Sequence, residues 1–113
     1  MDVINIPDGA KIKLRAVISS DAIVVTHIRI GGKVSTSSQY KFTKDLGIVT
    51  EPETRLTIGA NFYAERNISQ IINATQVDFE ILFDDESYKL TVEKKKRAED
   101  HFTAYAYVKF IKA

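Results

Sequence analysis

Val77-Asp78-Phe79-Glu80-Ile81-Leu82-Phe83-Asp84-Asp85-Glu86-Ser87-Tyr88-Lys89-Leu90-Thr91-Val92 alternates apolar and polar side chains on either side of an acidic cluster. Successive side chains of a strand point to opposite faces, so the stretch reads as two half-buried strands joined by a turn. With Asp85-Glu86 in the turn, Phe83 is expected opposite Tyr88, Ile81 opposite Leu90 and Phe79 opposite Val92. Large apolar pairs across a ladder stabilise it by about 0.2–1 kcal/mol over alanines, and a slip of one residue would turn the whole set outward.

The same period runs through most of the chain. Segment 11–18 puts Ile12, Leu14, Ala16 and Ile18 on one face and Lys11, Lys13 and Arg15 on the other. Segment 22–30 is apolar on both parities, with Val24, Ile28 and Ile30 against Ile23 and Val25, as expected of a strand that is central or covered on both sides. Segment 55–64 sets Leu56, Ile58, Ala60 and Phe62 against Arg55, Thr57 and Asn61; segment 102–111 aligns Phe102, Ala104, Ala106, Val108 and Phe110. A weaker strand is read at Tyr40–Phe42, and the residues around Lys95, Lys96, Arg97 and Asp100 read as a loop. Two longer loops are expected, Gly31 to Gln39 and Thr43 to Glu53, from their glycines, serines and proline.

One helix of about two turns is predicted near 67–75. Ile68, Ile71, Ile72 and Thr75 share a helical face, and Asn67 with Gln70 has capping-box spacing. About seven short strands and one helix predict a single all-β domain built as an antiparallel β-sandwich. The competing arrangement is a barrel of the oligonucleotide-binding type, which also places a helix between its third and fourth strands.

Composition narrows the chemistry. The 113 residues are 44% apolar and 27% charged, enough to bury a core without staples, and no cysteine is present for a disulfide or a thiolate zinc site. The net charge of +1 lacks the basic excess common in nucleic-acid binders. No apolar run approaches the roughly 20 residues of a membrane helix, and Met1 to Pro7 lack the pattern of a signal peptide. The sequons at Asn67 and Asn73 are read as coincidental.

No pattern calls for catalysis, a metal or a cofactor. The serines have no nucleophile elbow, and His27 and His101 have no metalloprotease spacing. Asp84, Asp85 and Glu86 suit a solvated turn better than a calcium loop, for which the alternating ligands and central glycine are missing. Gly31-Gly32-Lys33 lacks the spacing of a phosphate loop.

Two surfaces stand out. If segments 11–18 and 22–30 form a hairpin with Leu14 opposite Ile28, then Lys11, Lys13, Arg15, His27 and Arg29 gather into a basic patch suited to an anionic partner. If Leu90 pairs with Ala106, then Leu82, Lys89, Tyr105 and Tyr107 share an outer face suited to protein contact, or to stacking nucleobases. Otherwise the two tyrosines pack beneath the helix or the 43–53 loop. The expectation is a non-catalytic interaction module, one copy among many in a larger assembly such as a phage decoration or tail-associated protein. The alternatives are a small single-strand nucleic-acid-binding barrel and an inhibitor of a host or rival protein.

Overall fold

The computed structural model describes every residue from Met1 to Ala113. The alternation becomes ten strands with one helix: β1 (Asp2–Ile6), β2 (Lys11–Ser19), β3 (Ile23–Ile30), β4 (Lys33–Ser37), β5 (Lys41–Ile48), β6 (Glu53–Tyr63), α1 (Ile68–Ala74), β7 (Gln76–Phe83), β8 (Glu86–Lys89), β9 (Glu93–Ala98) and β10 (His101–Lys112). One sheet has six strands in the order β1-β10-β6-β3-β4, with β9 also on β10; the other runs β5-β2-β7-β8. Because β6 pairs along nearly all of β10, β1 and β9 share its other edge: β1 takes residues 108–112 and β9 residues 101–105. Only β1–β10 is parallel. Neither sheet closes on itself, so the molecule is a β-sandwich and not the oligonucleotide-binding barrel.

The inward faces are those the period selects. Ile12, Leu14 and Ala16 from β2, Leu56, Ile58, Ala60 and Phe62 from β6, Phe79 and Ile81 from β7, and Phe102, Ala104, Ala106, Val108 and Phe110 from β10 are essentially excluded from solvent. Phe62 and Phe102 sit opposite each other in the register and stack, ring centroids 4.6 Å apart and nearly parallel. Ile68 of α1 completes one end of this core.

The connections differ from expectation in ways that matter for the surfaces. The hairpin at Asp84 forms, but Phe83 pairs with Glu86 and Ile81 with Tyr88. Its turn is only Asp84-Asp85, both in the left-handed region at φ 49° and 61°. A two-residue turn of that hand matches strand twist, and aspartate tolerates it better than most residues. The register therefore moves by two residues, which keeps each side chain on its expected face, although Tyr88 at the sheet edge is 40% exposed. Beyond Lys89 the chain leaves the sheet, with the Leu90 N–H donating to the Phe79 carbonyl at 2.8 Å.

Segments 11–18 and 22–30 do not form a hairpin. β2 lies between β5 and β7, and β3 lies between β6 and β4 in the opposite sheet. Ser20 turns this corner: its hydroxyl accepts from the Ala22 N–H at 3.1 Å and meets the Thr75 hydroxyl at 2.7 Å. A second crossing is tied nearby, where the Ile18 N–H donates to the Tyr40 carbonyl at 2.7 Å and the Tyr40 phenol donates to the Ala22 carbonyl. Both expected long loops contain strand: β4 lies within 31–39, and β5 reaches into 43–53. The lysine-rich loop is β9.

The helix forms where predicted, without the expected cap. Asn67 is left-handed at φ 59° and its side chain makes no capping bond. The C-terminal end is held instead, by Lys94 Nζ donating to the carbonyls of Ile72 at 3.0 Å and Thr75 at 2.5 Å.

Thr26, on β3 between Ala60 and Ser37, is fully buried and its hydroxyl has no hydrogen-bond partner. An unsatisfied buried hydroxyl costs about 1–3 kcal/mol. Thr26→Val removes it at nearly constant shape, so the variant should be about 1 kcal/mol more stable in equilibrium urea unfolding. A loss of stability instead would show that the hydroxyl is satisfied.

Candidate interaction surfaces

The sheet assignment splits both predicted patches and recombines the halves. Lys11, Lys13 and Arg15 point outward from β2 and share the face of the four-stranded sheet with Leu82 of β7 and Lys89 of β8. His27 and Arg29 point outward from β3 and share the face of the six-stranded sheet with Tyr105 and Tyr107 of β10. No five-membered basic patch exists, and Lys89 does not neighbour Tyr107.

On the four-stranded face, cations sit beside anions. Lys13 lies between Asp45 and Leu82, and Arg15 lies between Thr43 and Glu80. The Arg15 guanidinium pairs with the Glu80 carboxylate at 2.5 Å, and Lys89 Nζ lies 3.1 Å from Asp78. Exposed pairs of this kind contribute at most about 1 kcal/mol, but they cancel the field a phosphate would feel. Leu82 is half-buried in this setting.

The six-stranded face is different. Its cross-strand rows, read from β3 through β6 to β10, are Ile23–Tyr63–His101, Val25–Asn61–Thr103, His27–Gly59–Tyr105 and Arg29–Thr57–Tyr107. Beyond them Arg55 faces Lys109, whose other neighbour is Val3. Tyr63 stacks on His101 with centroids 4.6 Å apart, and Tyr105 leans on Tyr107 at 5.5 Å with the rings tilted by 53°. Five large apolar side chains here are open to solvent: Val3, Ile23, Val34, Tyr63 and Tyr107. The tyrosines are not tucked beneath α1, and the 43–53 segment belongs largely to the other sheet.

Polar contacts hold this surface in shape. The Thr103 hydroxyl donates to Asn61 Oδ1 at 2.9 Å, and His101 Nε2 lies 3.3 Å from the same oxygen. Lys109 Nζ sits 2.7 Å from Glu53 and holds that carboxyl below its usual range through the hydrogen bond they share. Glu93 lies opposite Tyr105 in the register, and as acceptor for its phenol raises the tyrosine's pKa, helped by some burial. At Gly59 a Cβ would meet nothing within 4 Å, so the missing side chain leaves a shallow dip between His27 and Tyr105.

His27 and His101 do lie on one face, but a whole row at Asn61 separates them. Asp84, Asp85 and Glu86 form the exposed tip of the β7–β8 hairpin. Ile23, Tyr63, Val34 and Arg55 belong to the surface without having been singled out as contact residues. The doubly apolar parity of segment 22–30 was the available signal: β3 is indeed central, and its outward side chains have no element over them. No helix is long and apolar enough to cross a membrane. No protein-family model matches the chain, and no curated protein matches it in sequence.

Proposed function

We propose that this domain is a non-catalytic protein-contact module, used as a repeated subunit of a larger assembly, and that the outer face of the six-stranded sheet is its contact surface. The observation that carries the reading is the asymmetry of the two sheets. One outer face pairs Arg15 with Glu80 and Lys89 with Asp78, and exposes only Val17 and Ile48 among its large apolar side chains. The other exposes Ile23 and Tyr63 at one end and Val34, Tyr107 and Val3 at the other, with the Tyr63–His101 and Tyr105–Tyr107 contacts among them. Exposed large apolar side chains grouped on one face mark interaction sites, and tyrosine and arginine are enriched in the energetic centres of interfaces. Burial of this face against a neighbour gives the mechanism, with Arg29, between Val34 and Thr57, and Arg55 setting orientation. A virion subunit is the concrete form of assembly proposed.

The first test is the mass of the purified chain in solution, by sedimentation at low and high salt. A defined oligomer that survives salt is expected, because apolar burial is little screened. A strict monomer at every concentration would count against self-assembly through this face.

The recombined patch also favours a second reading. His27 and Arg29 share rows with Tyr105 and Tyr107 across the single strand β6, which combines cations with stackable rings as single-strand binders do. Under that reading the monomer binds single-stranded DNA with an affinity that falls steeply as salt rises.

A further inference from the structure

The two sheets part along one side of the sandwich, where β4 and β5 are both edge strands. Three adjoining hollows of about 410, 590 and 230 Å³ run along this side. They are continuous, since the first two share Ser35 and Lys44 and the last two share Ile30, Lys33 and Leu46. The cleft exists because β4 faces the interior with Ser35 and Ser37, too small to fill the gap between the sheets. Ile30, Phe42 and Leu46 are therefore only partly buried at its floor.

Two cations line this cleft on the core side of their strands, both still exposed to solvent. Lys44 pairs with buried Leu14, and Lys33 pairs with Ile30, so each side chain leaves its strand on the core side. Neither belongs to any ion pair of the chain. Of the carboxylates bordering the cleft, Asp45 is turned to the Gly47 N–H at 2.8 Å, and Glu51 lies at the far end beside Gly31-Gly32. The middle of the cleft is thus apolar below and positive above.

We propose that this cleft receives an extended acidic segment of a partner protein, added as a further strand on the free edge of β5. Strand addition takes its affinity from main-chain hydrogen bonds and its specificity from alternate side chains. Phe42 and Lys44 of β5 pair with inward Ala16 and Leu14, and Leu46, the extra residue of a bulge opposite Ile12–Lys13, also lines the cleft. Their cross-strand complement is apolar, acidic, apolar at every second position, and the acidic residue also lies within the reach of Lys33. Inward lysines on an edge strand normally discourage pairing, since burying an unpartnered ammonium is costly. Here the same lysines reject an all-apolar strand and accept one that carries a carboxylate at the matching position.

The test is fluorescence anisotropy of the full chain with a labelled nine-residue peptide centred on Val-Thr-Glu-Thr-Val, compared with one centred on Val-Thr-Lys-Thr-Val. The glutamate peptide should bind, and Lys44→Glu should weaken it at least about tenfold while favouring the lysine peptide. Lys33→Glu, at the opposite wall, should act in the same direction, and circular dichroism of both variants checks that they fold. Amide shifts on titration should cluster at 41–48. Tyr107→Ala should leave the peptide affinity unchanged, which separates failure here from failure of the assembly reading. Absence of binding up to about 1 mM, equal binding of both peptides, insensitivity to Lys44→Glu, or shifts confined to the six-stranded face would each overturn the proposal.

Discussion

Phe62→Ala should lower the unfolding free energy by about 3–5 kcal/mol, the range for truncating a fully buried aromatic ring. Phe62 has no solvent exposure and sits on β6, between Val24 of β3 and Phe102 of β10. Its ring lies almost parallel to that of Phe102, so truncation removes the stacking partner as well as the buried area. Strands on both sides hold the backbone, which leaves little freedom for the hole to close. At the low end of a typical total of about 5–15 kcal/mol, such a loss would leave a substantial unfolded population. Equilibrium urea unfolding of the wild type, both single alanine variants and the double variant measures the effect. The cycle should return a coupling of about 0.5–1.5 kcal/mol for the ring pair. A loss below about 1 kcal/mol for Phe62→Ala would mean that the site collapses freely and that the stack is not a fixed element of the core.

The buried half of this structure was readable because burial and period two are the same statement. Leu56, Ile58, Ala60 and Phe62 had to share a face in any arrangement of strands, as did Phe102, Ala104, Ala106, Val108 and Phe110. What the period does not contain is the neighbour of each strand. Segments 11–18 and 22–30 send the same side chains inward whether they pair as a hairpin or face each other across the core. Only the corner at Ser20 and the contacts of Tyr40 choose between the two. That one choice separated Lys13 and Arg15 from His27 and Arg29. The misplaced Tyr105 has a related cause. β9, Glu-Lys-Lys-Lys-Arg-Ala at 93–98, is exposed at every position and so carries no alternation, yet it occupies the edge of β10 that a pairing of Leu90 with Ala106 requires. Strand β4 was hidden by serines in the same way. Surfaces depend on neighbours, which the period of a single strand leaves open.

Tyr107→Ala should weaken whatever association the six-stranded face supports by about 30-fold or more, the effect of losing an interface hot spot of about 2 kcal/mol. Tyr107 is 47% exposed and carries no structural hydrogen bond, so its removal should change stability only slightly. Val17 supplies the control. It is 37% exposed at the corresponding outward position of the other sheet, between Lys41 and Asp78, and Val17→Ala should leave association intact. The pair of variants assigns the surface, because each removes modest apolar area from one sheet only. Sedimentation equilibrium at two salt concentrations then identifies the physics. If the Tyr107 effect appears equally at both, the face works by apolar burial against protein, as proposed. If wild-type binding is to single-stranded DNA and fades with added salt, the tyrosines are a stacking platform and Arg29 and Arg55 are its phosphate contacts. Should Val17→Ala disrupt association while Tyr107→Ala does not, the contact lies on the four-stranded sheet. The charge pairs of Arg15 and Lys89 would then have to open on binding, a cost that makes a broad contact there the less favourable arrangement.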